Sequence, residues 1–123
     1  MQITENFNIS EFMSKDGAKM PHNVLVNIKE LAKNLQVIRN IVCAPISINS
    51  AYRSILHNKA VGGAKNSYHV KGMAADVTIQ GLTPKDVHTL LSELMEDGTI
   101  SQGGLGKYDS FTHYDIRKTR ARW

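Results

Sequence analysis

The first periodic stretch of the chain runs from about Asn23 to Arg39, where Val24, Leu25, Ile28, Leu31, Leu35 and Ile38 recur at steps of three and four. That spacing gathers all of them on one face of a 3.6-residue helix, and Pro21 with Asn23 supplies its start. A second helix is predicted from Pro84 to Glu96. Thr83 and Asp86 form a capping box with the shorter acid, Val87, Leu90, Leu91 and Leu94 line its apolar side, and Gly98 stops it. Elsewhere the period falls to two. Ile46 and Ile48 alternate with Ser47 and Asn49 after Pro45, and Met73, Ala75, Val77 and Ile79 alternate with Ala74, Asp76 and Thr78. Gly103 to Tyr108 is a glycine-rich third strand. Phe111 to Arg117 is a fourth, with Phe111, His113, Asp115 and Arg117 on one face and Thr112, Tyr114 and Ile116 on the other. The segment Arg53 to Tyr68, RSILHNKAVGGAKNSY, follows neither period. Helices and strands arrive in runs, so the expected class is α+β: a mainly antiparallel sheet with helices packed on it.

The length, 123 residues, fits one domain covering 1–123, enough chain to bury about two-thirds of its unfolded surface. A 41% apolar and 21% charged composition excludes wholesale disorder. No window approaches the ~20 apolar residues of a membrane span. MQITENFNISEF lacks the basic region and apolar run of a signal peptide, so synthesis in the cytoplasm is expected. The single cysteine, Cys43 in IVCAPI, excludes an internal disulfide and a zinc finger, and is expected as a small buried hydrophobe. The net charge is +4, and part of the excess sits in Arg117, Lys118, Arg120 and Arg122. Such a tail suits nucleic acid, an anionic polymer such as a bacterial cell wall, or plain solvent. With one Trp and no aromatics interleaved among the basic residues, nucleic acid is not the expected partner.

Polar residues at strand positions that a core would fill with apolar ones carry the chemistry. His113 and Asp115 share a strand face about 7 Å apart. His69 and Asp76 bracket HVKGMAAD, the histidine in the loop leading into the strand that carries the acid. Two imidazoles and a carboxylate suit Zn²⁺, and three protein ligands with an open fourth position are the arrangement of a catalytic zinc. Gly72, Ala74 and Ala75 leave room for close packing around Asp76, and Gly72 tolerates a positive φ. Ser67, two residues before His69, is placed to bond a neighbouring loop group or to orient a ligand. His22 and His88 belong to no pattern and are expected to face solvent.

Ser67, His69, Gly72, Ala74 and Asp76 together spell Ser-x-His-x-x-Gly-x-Ala-x-Asp. That pattern resembles the zinc D-alanyl-D-alanine carboxypeptidase family of bacterial cell-wall peptidases, which shares its fold with the hedgehog signalling domain. INSAYRS, from Ile48 to Ser54, resembles the family's strand ending in Ser-x-x-Arg, and GGLGKYDSFTHYDIR, from Gly103 to Arg117, resembles the Gly-Gly-x-Gly-x-Tyr and His-x-Asp elements of its small, often phage-encoded branch. Trp123 after a basic stretch fits the same branch. The resemblance implies that His69, Asp76 and His113 hold Zn²⁺ and that Arg53 grips a substrate carboxylate, with Ser67 on the same substrate side. His57 and Asn58 are left a loop-ordering role. Many members carry an acid or histidine just before the third ligand, where Ser110 and Phe111 stand here. Asp115 is therefore favoured over Asp109 as the base, and its strand face equally allows it to bind the metal or to orient His113. The implied activity is amide hydrolysis in peptidoglycan stem peptides, as a carboxypeptidase or endopeptidase, by a monomer acting in phage lysis or within a phage tail. The alternative is a zinc-bound wall-binding or structural module without catalysis.

Overall fold

The computed structural model describes residues 1–123. The long periodic stretch becomes helix α1, His22–Val42, which buries Val24, Ile28, Leu31, Ala32, Leu35 and Ile38. It outruns its apolar stripe at the C-terminal end and closes on Cys43, whose φ of 51° is left-handed and whose N–H bonds the carbonyl of Arg39. That cap corrects the expectation of a buried thiol: Cys43 is exposed, because it terminates the helix instead of continuing the core-facing side. Helix α3, Pro84–Glu96, carries the predicted capping box, with Thr83 accepting from the Asp86 N–H and Asp86 accepting from the Thr83 N–H. Between them lies a short helix α2, Ile55–Ala60, inside the stretch without period. Only Asn58 of α2 is buried, while Ile55 and Leu56 are exposed, so no apolar stripe announces it. His88 differs from expectation too: it is half-buried, and its Nε2 is buried without a partner, whereas His22 is exposed.

The strands are β1 (Ile46–Ser50), β2 (Ala74–Ile79), β3 (Gly104–Lys107), β4 (Thr112–Asp115) and β5 (Ala121–Arg122). They form one sheet in the order β1-β2-β4-β3-β5, antiparallel throughout except for the parallel pair β3–β5. The class is thus the α+β expected from the sequence. Val77, Leu105, Tyr114, Ile116, Ile46 and Ile79 join the apolar faces of α1 and α3 in one contiguous core. Tyr114 is fully buried there and donates its hydroxyl to the carbonyl of Ser101 at 2.8 Å. The strand period places the next residue on the opposite face, so β4 turns His113 and Asp115 away from this core. Register aligns the polar face across strands: Asp76 lies opposite His113 and Ala74 opposite Asp115. In β1 a bulge between Ile48 and Ser50 brings Ser50 opposite Asp76, although Ile48 stands opposite Val77.

Both ends of the chain are tied to this frame. The carbonyl of Phe12 accepts from the Tyr52 N–H, and Ser14 Oγ accepts from the Ser54 N–H. Asp16 accepts from Ser54 Oγ at 2.6 Å, Ser14 Oγ at 2.7 Å and the Ala18 N–H at 3.0 Å. At the other end, the basic residues meet acids of this same chain instead of standing free in solvent. Lys118 pairs with Glu30, Arg120 and Arg122 both pair with Glu96, and Arg117 pairs with Asp115. Exposed pairs such as the first of these contribute at most about 1 kcal/mol. They nevertheless accompany a strand that the sequence did not announce, β5, laid parallel to β3.

The Asp16 cluster has a pH signature. Hydrogen bonds from Ser54, Ser14 and the Ala18 amide hold the Asp16 carboxyl down at about 2. A carboxyl whose folded pKa lies below its unfolded value stabilises the fold above about pH 4 and loses that contribution as pH falls toward the folded value. Asp16→Asn is therefore expected to lower the urea midpoint near neutrality and to converge on the parent protein at about pH 2. Urea titrations across that range check it, and a constant difference at all pH values contradicts it.

Candidate metal centre

The polar face of the sheet collects the predicted ligands at one place. Asp76 on β2 and His113 on β4 are direct neighbours by register, and His69 arrives from the loop before β2. All three are buried, and their ligand atoms lie within 4.8 Å of one another. His69 Nε2 is 3.2 Å and His113 Nδ1 3.0 Å from the same oxygen, Asp76 Oδ1. Each ring is fixed by what its other nitrogen bonds. His69 Nδ1 sits 2.7 Å from the carbonyl of Ala51, which can only accept, so the proton belongs on Nδ1. His113 Nε2 sits 2.7 Å from Asp115 Oδ2, which places its proton on Nε2. Both neutral rings then turn a bare lone pair toward Asp76 Oδ1. Three acceptor atoms converge with no donor between them, and such a centre demands a positive charge.

A second proton on an imidazole is one way to supply it. Burial pushes the Asp76 carboxyl up, but hydrogen bonds from His113 and His69 outweigh it and hold the group at about 2. Burial likewise pushes His113 down, while its bonds to Asp115 and Asp76 raise it overall. A divalent cation is the other way, and the donor set fits one: two imidazole nitrogens and a carboxylate oxygen, each imidazole backed by an acceptor that sets its tautomer.

Asp115 is fully buried and completely engaged. Its Oδ1 accepts from the Gly104 N–H at 2.9 Å and Arg117 Nε at 2.8 Å, and its Oδ2 from His113 Nε2 and Arg117 Nη2, both at 2.7 Å. Burial pushes its carboxyl up, yet the Arg117 fork, His113 and the Gly104 amide hold it far below the usual carboxylate range. This contact explains the glycines of GGLG. A Cβ on Gly104 would collide with the Asp115 carboxylate and the Arg117 guanidinium, and one on Gly106 would collide with the Trp123 indole.

A cavity of about 530 Å³ opens over the three ligands. Asp76 is the only carboxylate among its lining residues. Arg53 stands at one side, fixed by Ser50 Oγ at 3.1 Å, Asn58 Oδ1 at 3.3 Å and Asp76 Oδ2 at 3.4 Å. Asn58 in turn donates to the carbonyl of Ala64, the loop-ordering role expected of it. Ser67 also lines the cavity, and its Oγ accepts from the His69 N–H at 3.1 Å. His57 does not line the cavity; its N–H caps α2 through Ser54 Oγ. Asp109 is exposed and outside the cavity.

The other wall is aromatic, a role the sequence did not assign to Tyr108, Phe111 or Trp123. Tyr108 and Phe111 stack at 4.6 Å between ring centroids, and Trp123 Nε1 donates to the Tyr108 hydroxyl at 2.9 Å. The Trp123 ring lies 5.2 Å from that of His113. Strand parity puts Phe111 and Arg117 on the face of His113, and the family resemblance marks Tyr108 and Trp123, but Trp123 reaches the cavity through β5, which has no periodicity to read.

His69→Ala removes one of the three converging donors and leaves the carbonyl of Ala51 without its imidazole partner. Its content of divalent metal is expected to fall from near one ion per chain to near none, which elemental mass spectrometry of dialysed protein checks. A variant that keeps a full equivalent of metal excludes His69 as a ligand.

The Peptidase M15 family profile matches residues 4–115, a span that includes His69, Asp76 and His113. The peptidoglycan L,D-endopeptidase MepK of Escherichia coli strain K12 is 32% identical over 83 residues, covering 62% of this chain and 42% of that protein. The probable peptidoglycan L,D-endopeptidase MepK of Haemophilus influenzae is 30% identical over 106 residues, covering 80% of this chain and 54% of that protein. The chain thus spans about half the length of these curated relatives. With the profile covering nearly the whole fold and the His-Asp-His cluster lying within it, the chain belongs to the Peptidase M15 family.

Proposed function

We propose that this protein is a zinc-dependent peptidase that hydrolyses amide bonds in peptidoglycan stem peptides. One observation carries the reading: three acceptor atoms, His69 Nε2, Asp76 Oδ1 and His113 Nδ1, converge beneath an open cavity that also presents the Arg53 guanidinium. The relatives' names favour an internal cut over removal of a terminal D-alanine. When bound, zinc supplies Lewis acidity to the scissile carbonyl and to the attacking water at neutral pH. His69, Asp76 and His113 hold it from the floor of the cavity. Arg53 anchors a substrate carboxylate through the N–H groups of Nη1 and Nη2 that Asn58 and Asp76 leave free. The Tyr108, Phe111 and Trp123 wall narrows the cleft beside the bond to be cut.

Asp115, in this reading, is a positioning residue and not the base that the sequence favoured. Its oxygens together accept four short bonds, and it does not line the cavity, so it has no lone pair to offer a water. What it does is hold the His113 ring with its Nδ1 lone pair inward. Partners of this kind affect metal affinity about 10–100-fold. A second reading, a zinc-bound wall-binding module without turnover, draws on the fact that Asp76 is the only carboxylate lining the cavity.

Two experiments decide between these. Zinc-loaded protein incubated with defined muropeptides is expected to release fragments identifiable by mass spectrometry, to stop after chelation and to resume when zinc is restored. Metal binding without any released fragment would favour the binding module. Asp115→Asn is expected to bind zinc about 10–100-fold more weakly and to recover most of its turnover at saturating zinc. Turnover that stays lost in the fully loaded variant would return the base role to Asp115.

A further inference from the structure

Arg117 does more than grip Asp115. Its Nε and Nη2 are spent on the two carboxylate oxygens, and no protein acceptor meets Nη1. Nη1 is also absent from the buried polar atoms that lack a partner, so its N–H groups reach solvent. The guanidinium lies over the Tyr68 ring at 4.3 Å and over the Trp123 ring at 5.4 Å. Tyr68, Arg117 and Trp123 all line the cavity that holds the His-Asp-His cluster. Arg117 is therefore a fixed, partly desolvated cation with an unspent hydrogen-bonding edge. Arg53 matches this description on the other side, with one N–H of each terminal nitrogen left over. The two guanidinium groups stand at opposite ends of one bonded series, Arg53–Asp76–His113–Asp115–Arg117.

We propose that Arg117 is a second acid-recognition point, so that the preferred substrate is a peptide with two free carboxylates, one taken by Arg53 and the other by Arg117, with the scissile amide between them. This deepens the peptidase reading given above and rests on it. The physical case has three parts. A guanidinium held by a carboxylate fork and two aromatic faces has already lost its rotamer freedom, so binding an acid costs little further ordering. Donors that reach a cavity of this size are satisfied by water in the free protein and by a carboxylate in the complex, where a charge-assisted bond is stronger. Finally, Arg53 and Arg117 are the two guanidinium groups lining the cavity, and Asp76 is the one carboxylate that lines it with them.

The test compares three synthetic stem peptides of one sequence: both carboxylates free, the first converted to its primary amide, or the second so converted. For the zinc-loaded parent protein, kcat/KM is expected to drop about tenfold on amidation at either position. In Arg117→Gln the penalty for amidating one of the two positions is expected to vanish while the other persists, and Arg53→Gln is expected to show the reverse. If Arg117 acts only through Asp115, Arg117→Gln slows all three peptides by one factor and leaves their ratios intact, which overturns the proposal. The parent comparison stands even where the variant folds poorly: equal kcat/KM for the diacid and both monoamides overturns the second acid point alone. Hydrolysis of none of the three by the zinc-loaded parent overturns the peptidase reading and this one with it.

Discussion

The convergence of His69 Nε2, His113 Nδ1 and Asp76 Oδ1 is an electrostatic debt written into the fold. At 3.0 and 3.2 Å, a proton on an imidazole or a bound cation joins these atoms. The Ala51 carbonyl holds one ring and Asp115 the other, while strand register fixes the acid between them. Two imidazole nitrogens and a carboxylate oxygen brought this close are a donor set that suits a divalent cation. The surrounding structure is readable as the means of keeping these three atoms aimed at one point.

Much of that means lies in the C-terminal third of the chain. Gly104 lets the Asp115 carboxylate and the Arg117 guanidinium press against β3, and Gly106 gives the same freedom to Trp123. Asp115 then joins three residues of the site through one buried carboxylate: the Gly104 amide, the His113 imidazole and two nitrogens of the Arg117 guanidinium. Loss of one partner from a buried, charged set of this kind costs about 3–5 kcal/mol, a sizeable part of the roughly 5–15 kcal/mol that holds a typical domain folded. The N-terminal segment plays the matching part on the other side. Ser14, Asp16 and the Phe12 carbonyl hold Tyr52 and Ser54, and so fix Arg53 between them.

What could be read from the chain before folding was whatever local period and short-range chemistry encode. The stripe of α1, the capping box and apolar side of α3, and the alternation in β2 and β4 are all local properties, and each element lies where the pattern put it. Alternation in β4 also separated Tyr114 and Ile116 from His113 and Asp115. The places where pattern failed have a common cause. Helix α2 buries only a polar residue, β5 has two residues, and the Cys43 thiol faces outward because of a helix cap.

The sequence by itself thus determined the class of fold, and it singled out His69, Asp76 and His113, which converge, and Arg53 beside them. Only the tertiary structure showed what Asp115 and the basic tail touch. A carboxylate on the right strand face can be a base, a ligand or a support, and the difference lies in how many donors surround it. Arg117, two residues along, reaches Asp115 locally, but the Gly104 N–H on β3 reaches it only after β3 and β4 have paired. In the same way Lys118, Arg120 and Arg122 read as free positive charge until folding brings Glu30 and Glu96, distant in sequence, within 2.8 to 3.0 Å of them.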